Sequence, residues 1–123
     1  MSTQKTILTV DDSATIRELL LASLTGMGFR VVQAADGMAA LEKLKHEKAD
    51  IIITDVNMPR LDGLAFIEAL RKDDANRATP VLVMTTETDQ ALKDRARMAG
   101  ATGWIVKPFD PTKLADAIRR VTA

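Results

Sequence analysis

Five short runs of β-branched and aliphatic residues recur along the chain, at residues 6–10, 29–34, 51–54, 81–84 and 103–106. A longer stretch with helical spacing follows each one. Strands that read as continuous apolar runs, without polar alternation, are buried on both faces. That is the pattern of parallel sheets whose crossover connections lay helices on either side. Five successive βα units therefore predict an open, doubly wound α/β domain with a five-stranded parallel sheet and five helices.

The helices can be placed from their apolar spacing. The first sets Ile16, Leu20 and Leu24 on one face, with Leu19 and Met27 beside them and Gly26 and Gly28 closing it. Asp36 is placed to cap the second, which buries Ala40, Leu41 and Leu44. The third follows a loop holding Pro59 and Gly63 and uses Leu64, Phe66, Ile67 and Leu70. The fourth is weakly marked by Leu92, Ala96 and Ala99; the last, over residues 111–121, buries Leu114, Ala117, Ile118 and Val121. With 123 residues and no repeat or linker, one domain over residues 1–123 is expected.

Composition excludes several classes. Seventeen basic side chains balance seventeen acidic ones, which argues against a dedicated nucleic-acid binder. The absence of cysteine removes disulfides, zinc–thiolate sites and thiol nucleophiles. Residues 1–6 are polar and lack a signal-peptide core, and the apolar runs fall far short of the roughly 20 residues that span a membrane. A soluble, monomeric, cytoplasmic domain is expected.

In doubly wound sheets, ligands bind outside the carboxyl ends of the strands, where the strand order reverses. Asp11 and Asp12 follow the first strand, Asp55 the third, Thr85 the fourth and Lys107 the fifth, so all belong to one rim. Three carboxylates there repel unless a positive charge joins them, and a hard cation such as Mg²⁺ suits carboxylates, phosphate oxygens and retained waters. A carboxylate beside such a cation can attack phosphorus, while a lysine and a hydroxyl neutralise and position the transferred oxygens. Each residue alone has a plainer role. Asp11 and Asp12 suit a helix N-terminus, Asp55 a turn, Thr85 a cap for the fourth helix, and Lys107 a solvated loop. Their joint placement favours the chemical reading.

These residues stand in Val10-Asp11-Asp12-Ser13, Asp55-Val56-Asn57-Met58-Pro59 with Asp62-Gly63, Met84-Thr85-Thr86-Glu87, and Gly100-Ala101 with Lys107-Pro108-Phe109. In these motifs the chain resembles the response-regulator receiver family, particularly single-domain chemotaxis regulators of the CheY type. The resemblance covers essentially the whole chain. It implies a flavodoxin-like sheet of order 2-1-3-4-5. It also implies that Asp55 is the phosphoacceptor and that Asp12 and Asp55 ligate Mg²⁺. Asp11 would assist through water, and Asn57 through its backbone carbonyl. Thr85 would bond the phosphoryl oxygen and Lys107 would pair with the phosphate. A histidine kinase of the chemotaxis type would donate the group, with the domain catalysing its own phosphorylation and dephosphorylation as a signalling switch.

Two positions depart from the commonest pattern. Trp104 stands where the family's switch residue is often Tyr or Phe, so an inward swing needs more space. Thr86 is bulkier than usual and would narrow access to the phosphate.

Lys93, Arg95 and Arg97 of the fourth helix and Lys113, Arg119 and Arg120 of the fifth make a locally basic face around the fifth strand. It reads either as an ordinary solvated surface or as a docking site for an acidic or amphipathic partner segment. The resemblance implies the second, with output through a target such as the flagellar motor switch; a phosphate sink or phosphorelay intermediate is the alternative. His46, among charged residues near the end of the second helix, reads as a surface residue. An aspartyl-phosphate hydrolase of the haloacid-dehalogenase type would need a D-x-D motif and a cap insertion. A flavodoxin-like electron carrier would need a hydroxyl- and glycine-rich loop after the first strand, where an acidic pair stands.

Overall fold

The computed structural model describes residues 4–86 and 89–122. The strands are β1 (Thr6–Val10), β2 (Arg30–Ala34), β3 (Ile51–Asp55), β4 (Val81–Thr85) and β5 (Gly103–Val106). They alternate with α1 (Ala14–Gly26), α2 (Gly37–Leu44), α3 (Gly63–Arg71), α4 (Gln90–Ala99) and α5 (Pro111–Thr122). All pairings are parallel, in the order β2-β1-β3-β4-β5.

Alternation along each strand sorts the apolar side chains into two cores. Leu8, Val10, Ile52, Val81 and Val83 meet Ala40 of α2, Phe66, Ile67 and Leu70 of α3, and Leu92 and Ala96 of α4. Ile7, Ile51, Ile53, Leu82 and Met84 face the other way, onto Leu20 and Leu24 of α1 and Leu114 and Ile118 of α5. Both faces are covered, which is why the strands carry no polar alternation.

Four helices start on a side-chain oxygen that accepts an otherwise orphaned N–H. Ser13 accepts from Ile16, Asp36 from Ala39, Asp62 from Ala65 and Asp89 from Leu92. Thr85 is thus not the cap of α4, and neither Asp11 nor Asp12 caps α1. At the far end of α4, Gly100 takes a left-handed φ of 112°, and a Cβ there would lie 2.8 Å from the Arg71 side chain. Arg71, half-buried, donates to the carbonyls of Asn76, Thr79 and Gly100, tying the end of α3 to that turn.

Several expectations are corrected. Leu19 and Met27 are exposed. Leu19 lies about 100° around the helix from Leu20, beyond the buried stripe, and Met27 caps a helix that has already ended at Gly26. Strand β2 starts at Arg30, although Phe29 still packs on the core shared by α1 and α5. Strands β3 and β4 run one residue further than expected, taking in Asp55 and Thr85. A short 3₁₀ turn at Asp74–Asn76 was not anticipated.

Thr9 is wholly buried in the core facing α1 and α5, and its Oγ1 finds no hydrogen-bond partner. An unmatched buried hydroxyl costs stability that an isosteric methyl does not. Thr9→Val is expected to stabilise the domain by about 1 kcal/mol. A thermal melt should register this as a rise of about 3–5 °C at this chain length; an unchanged or lower melting temperature would mean that the hydroxyl is satisfied.

Candidate functional site

Strand β1 runs into Asp11 and Asp12, β3 ends on Asp55, β4 ends on Thr85, and β5 runs into Lys107. The sheet order reverses between β1 and β3, so the aspartates flank the switch point, where doubly wound sheets bind ligands.

The backbone fixes Asp11 first. Its N–H donates to Ala34 O at 3.1 Å, and its Oδ1 accepts from Ser13 N at 2.9 Å. Its carbonyl accepts from Arg17 Nη1 at 2.6 Å, a support from one turn into α1 that the sequence pattern did not reveal. Asp55 Oδ1 accepts from Val56 N at 2.8 Å. Gly63 lets α3 begin directly against this residue, since a Cβ there would lie 2.0 Å from Asp55 O. Lys107 leaves β5 with its N–H on Thr85 O at 2.8 Å, and a cis peptide joins it to Pro108.

The Lys107 ammonium lies 2.8 Å from Asp11 Oδ2 and 3.2 Å from Asp55 Oδ2. Both carboxylates are buried, whereas Asp12 is exposed at the mouth. Asp11 Oδ2 is in ion-pair range but accepts no well-directed hydrogen bond, so it keeps lone-pair capacity. Each of the three aspartates offers one oxygen within 4.8 Å of the others. Within ion-pair range the ammonium thus reaches two of these three carboxylates, Asp11 and Asp55. The Asp55 carboxyl is held above its ordinary value of 3.8 by burial and by the Asp11 charge, against the pull of Lys107. Burial works against the Lys107 charge, but Asp11 and Asp55 outweigh it and raise its pKa above the usual lysine value.

The surplus negative charge and the all-oxygen donor set fit a hard divalent cation such as Mg²⁺. Asn57, two residues beyond Asp55, is exposed on the loop over residues 56–62, and Thr85 is buried at the same rim. Thr86 is exposed beside it, and Glu87 lies outside the described residues. His46 is exposed at the end of α2, 3.6 Å from Glu42 and away from the rim. Trp104 packs half-buried against the core shared by α2, α3 and α4, and its Nε1 finds no acceptor. Lys93 sits over its ring, 5.7 Å from the centroid, so this lysine is not simply part of a solvated face. Beside them, a cleft of about 630 Å³ is lined by Trp104, Val106, Lys107, Lys113, Ala117 and Arg120.

Fold and rim together define a flavodoxin-like α/β domain with an acidic pocket braced by one lysine. The response regulator receiver domain profile matches residues 7–119, and the chain belongs to that family. Receiver domains of two-component systems interact with histidine kinases and with downstream targets. The chain is 36% identical over 119 residues to the chemotaxis protein CheY of Thermotoga maritima, covering 96% of this chain and 98% of that one. It is 37% identical over 121 residues to a probable transcriptional regulator, ycf27, of Guillardia theta; the match covers 98% of this chain but only 46%, about half, of that relative. Vibrio cholerae chemotaxis protein CheY4 superposes with a TM-score of 0.94 at 42% identity, over 97% of this chain and 99% of that one. The receiver domain of the Pseudomonas aeruginosa sensor histidine kinase PA1611, solved with magnesium coordinated in its active-site cleft, superposes with a TM-score of 0.90 at 26% identity, over 98% of this chain and 100% of that one. No helix among the described residues is long and apolar enough to cross a membrane.

A carboxyl whose pKa rises on folding destabilises the fold once it ionises. Metal-free Asp55→Asn is therefore expected to be more stable than wild type at pH 7, by about 1 kcal/mol. The gap should close as pH falls toward and below 3.8, where the carboxyl is protonated in both states. Melts in chelator at pH 7 and at low pH measure this; a wild type as stable as the variant at pH 7 would show that Lys107 pairing outweighs burial.

Proposed function

We propose that residues 1–123 form a single receiver that accepts a phosphoryl group on Asp55 from a histidine kinase and signals by binding a partner protein. The observation carrying this is the pair of buried carboxylates, Asp11 and Asp55, shared by one lysine at the switch point, with Asp12 at the mouth. Asp12 and Asp55 would hold Mg²⁺ directly, Asp11 through water and Asn57 through its backbone carbonyl. The cation supplies the charge that lets phosphate oxygens approach three carboxylates.

A carboxylate oxygen of Asp55 attacks phosphorus; the new O–P bond forms as the bond from phosphorus to the donor imidazole nitrogen breaks, leaving the electron pair on nitrogen. Lys107 neutralises one phosphoryl oxygen and the Thr85 hydroxyl donates to another. Hydrolysis reverses the state: water oxygen bonds phosphorus as the bond from phosphorus to Asp55 breaks, so the carboxylate returns and inorganic phosphate leaves with the water's oxygen and protons. We place the output in chemotaxis, at a target such as the flagellar motor switch, with the protein acting as a cytoplasmic monomer. Likeness to CheY of T. maritima and CheY4 of V. cholerae supports this. The basic face of α4, β5 and α5, with its cleft, is the docking surface in this reading. A phosphorelay or phosphate-sink role is the second reading, supported by likeness to the receiver of a sensor histidine kinase.

Acetyl phosphate with Mg²⁺ is expected to add one acid-stable, base-labile phosphoryl group, detected by intact mass. Asp55→Asn should abolish it, and unchanged labelling of that variant would overturn the assignment. Trp104, the sole tryptophan, reports the coupling. Its emission should change with a phosphoryl mimic plus Mg²⁺, change less with Mg²⁺ alone, stay constant in Asp55→Asn and respond weakly in Thr85→Ala. Identical spectra and quencher accessibility in both states would mean that the indole stays in place.

A further inference from the structure

The loop over residues 56–62 leaves β3 at Asp55, carries Asn57 and leads into α3. Three ties hold it. Gly63 N–H donates to Val56 O at 2.8 Å, and Gly37 N–H, at the start of α2, donates to Leu61 O at 3.1 Å. Arg60 then grips Asp36 with two bonds, Nε to Oδ2 at 2.8 Å and Nη2 to Oδ1 at 2.9 Å. This fork-to-fork geometry fixes orientation as well as distance.

The pair is unequal in its surroundings. Asp36 is buried and also accepts from Ala39 N, whereas the Arg60 side chain is 60% exposed. Capping α2 does not require Arg60, because Asp36 meets that N–H by itself. Arg60 nevertheless adopts a φ of 65°, a left-handed conformation that non-glycine residues seldom take unless the surroundings impose it. Gly37 supports the same contact from the other side: a Cβ there would lie 2.6 Å from Leu61 O. A bidentate ion pair, a left-handed arginine and a close backbone approach thus converge on one junction between the loop and α2.

We propose that the Asp36–Arg60 pair is a positioning latch, holding the loop that carries Asn57 against the start of α2 so that the cation site at Asp55 is preformed. The inference rests on the reading of Asp55 as phosphoacceptor and Asn57 as a ligand. Both latch residues are positioning residues; neither is placed among the ligands. A loop already tethered need not be ordered when the cation binds, so the latch acts on metal affinity. Phosphoryl transfer then suffers in latch variants only where Mg²⁺ is limiting.

Two variants test this. Arg60→Gly removes the guanidinium while accepting the left-handed φ, so its effect is not backbone strain. Asp36→Asn keeps an N-cap and loses the charged partner. Calorimetric titration with Mg²⁺ is expected to show each variant binding about tenfold more weakly than wild type. The double variant should bind no more weakly than Arg60→Gly alone, as partners in one interaction do. Labelling by acetyl phosphate should be slow at low Mg²⁺ in both variants and recover toward the wild-type rate at saturating Mg²⁺. A merely structural pair would lower the melting temperature and leave Mg²⁺ affinity within about twofold of wild type, the typical scale of a change with little coupling energy; that result overturns the latch. Asp55→Asn, run alongside, separates the two failures. If it is inert while Arg60→Gly and Asp36→Asn bind Mg²⁺ like wild type, the latch alone falls. If it still labels, the reading of Asp55 falls and takes the latch with it.

Discussion

The Lys107 ammonium, held between the buried carboxylates of Asp11 and Asp55, is the interaction on which the arrangement of this rim depends. Moving a carboxylate out of water is costly unless an opposite charge and hydrogen bonds compensate it. Here the three partners come from three strands that are not all neighbours. Lys107 follows β5, which is two strands from β3 and three from β1 in the sheet. Adjacent strands are about 4.8 Å apart, so the separation along the sheet from β5 to β3 is about 10 Å. Only a long side chain leaning across β4 closes that gap, and its N–H anchor on Thr85 O starts it from the correct edge. The compensation is incomplete: Lys107 is in ion-pair range of Asp11 and Asp55 but not of Asp12, and the nearby Arg17 guanidinium is spent on the Asp11 carbonyl. That surplus of negative charge is what the cation of the proposed function would answer.

Parallel topology makes this juxtaposition possible. In a doubly wound sheet every strand delivers its carboxyl end to the same rim, and order reversal opens a crevice between β1 and β3. Two fully covered faces, one core under α1 and α5 and the other under α2, α3 and α4, keep the strands in register. The rim can then hold unfavourable charge because the stability comes from elsewhere. Local devices refine it. Gly63 lets α3 start against Asp55, and the junction of Arg60, Asp36 and Gly37 brings the same loop against α2.

Much of this was legible in the sequence because it is written in local patterns. The apolar runs marked all five strands, and the polar residues ending them marked Asp11, Asp12, Asp55, Thr85 and Lys107 as one rim. Asp36 read correctly as a cap because capping is a contact within three residues. Legibility ended where a contact depended on distant segments. Nothing in the composition of the loop indicates that Arg60 turns back to Asp36, 24 residues earlier, or that Arg71 gathers carbonyls from the turn after α3 and from Gly100. Leu19 looked like core because an aliphatic residue beside a buried stripe has the right chemistry; only the breadth of the surface it faces decides its burial. Asp11, Asp12 and Asp55 were visible as a group of mutually repelling carboxylates, but the burial that sets Asp11 and Asp55 apart from exposed Asp12 was not. The sequence pattern says nothing about which oxygens Lys107 reaches.

The register of β4 and β5 bears on how such a pocket communicates with the rest of the molecule. Thr85 lies beside Val106, and Trp104 beside Val83. Side chains two residues apart on a strand share a face, so Thr85 and Trp104 both project toward the side of the sheet covered by α4, separated by about 7 Å along the strand direction. Trp104 is packed in that core, with its Nε1 lacking an acceptor and Lys93 of α4 over its ring. An indole that leaves a buried donor unmatched is not in its best possible environment, and a shift that gave Nε1 a partner would be favoured locally. In the proposed switch, a displacement of Thr85 toward the rim would pass to the ring two positions below it on the neighbouring strand. From there it would reach Lys93 and α4. The bulk of the indole sets the size of the rearrangement required, and the unmatched Nε1 lowers the cost of leaving its present position.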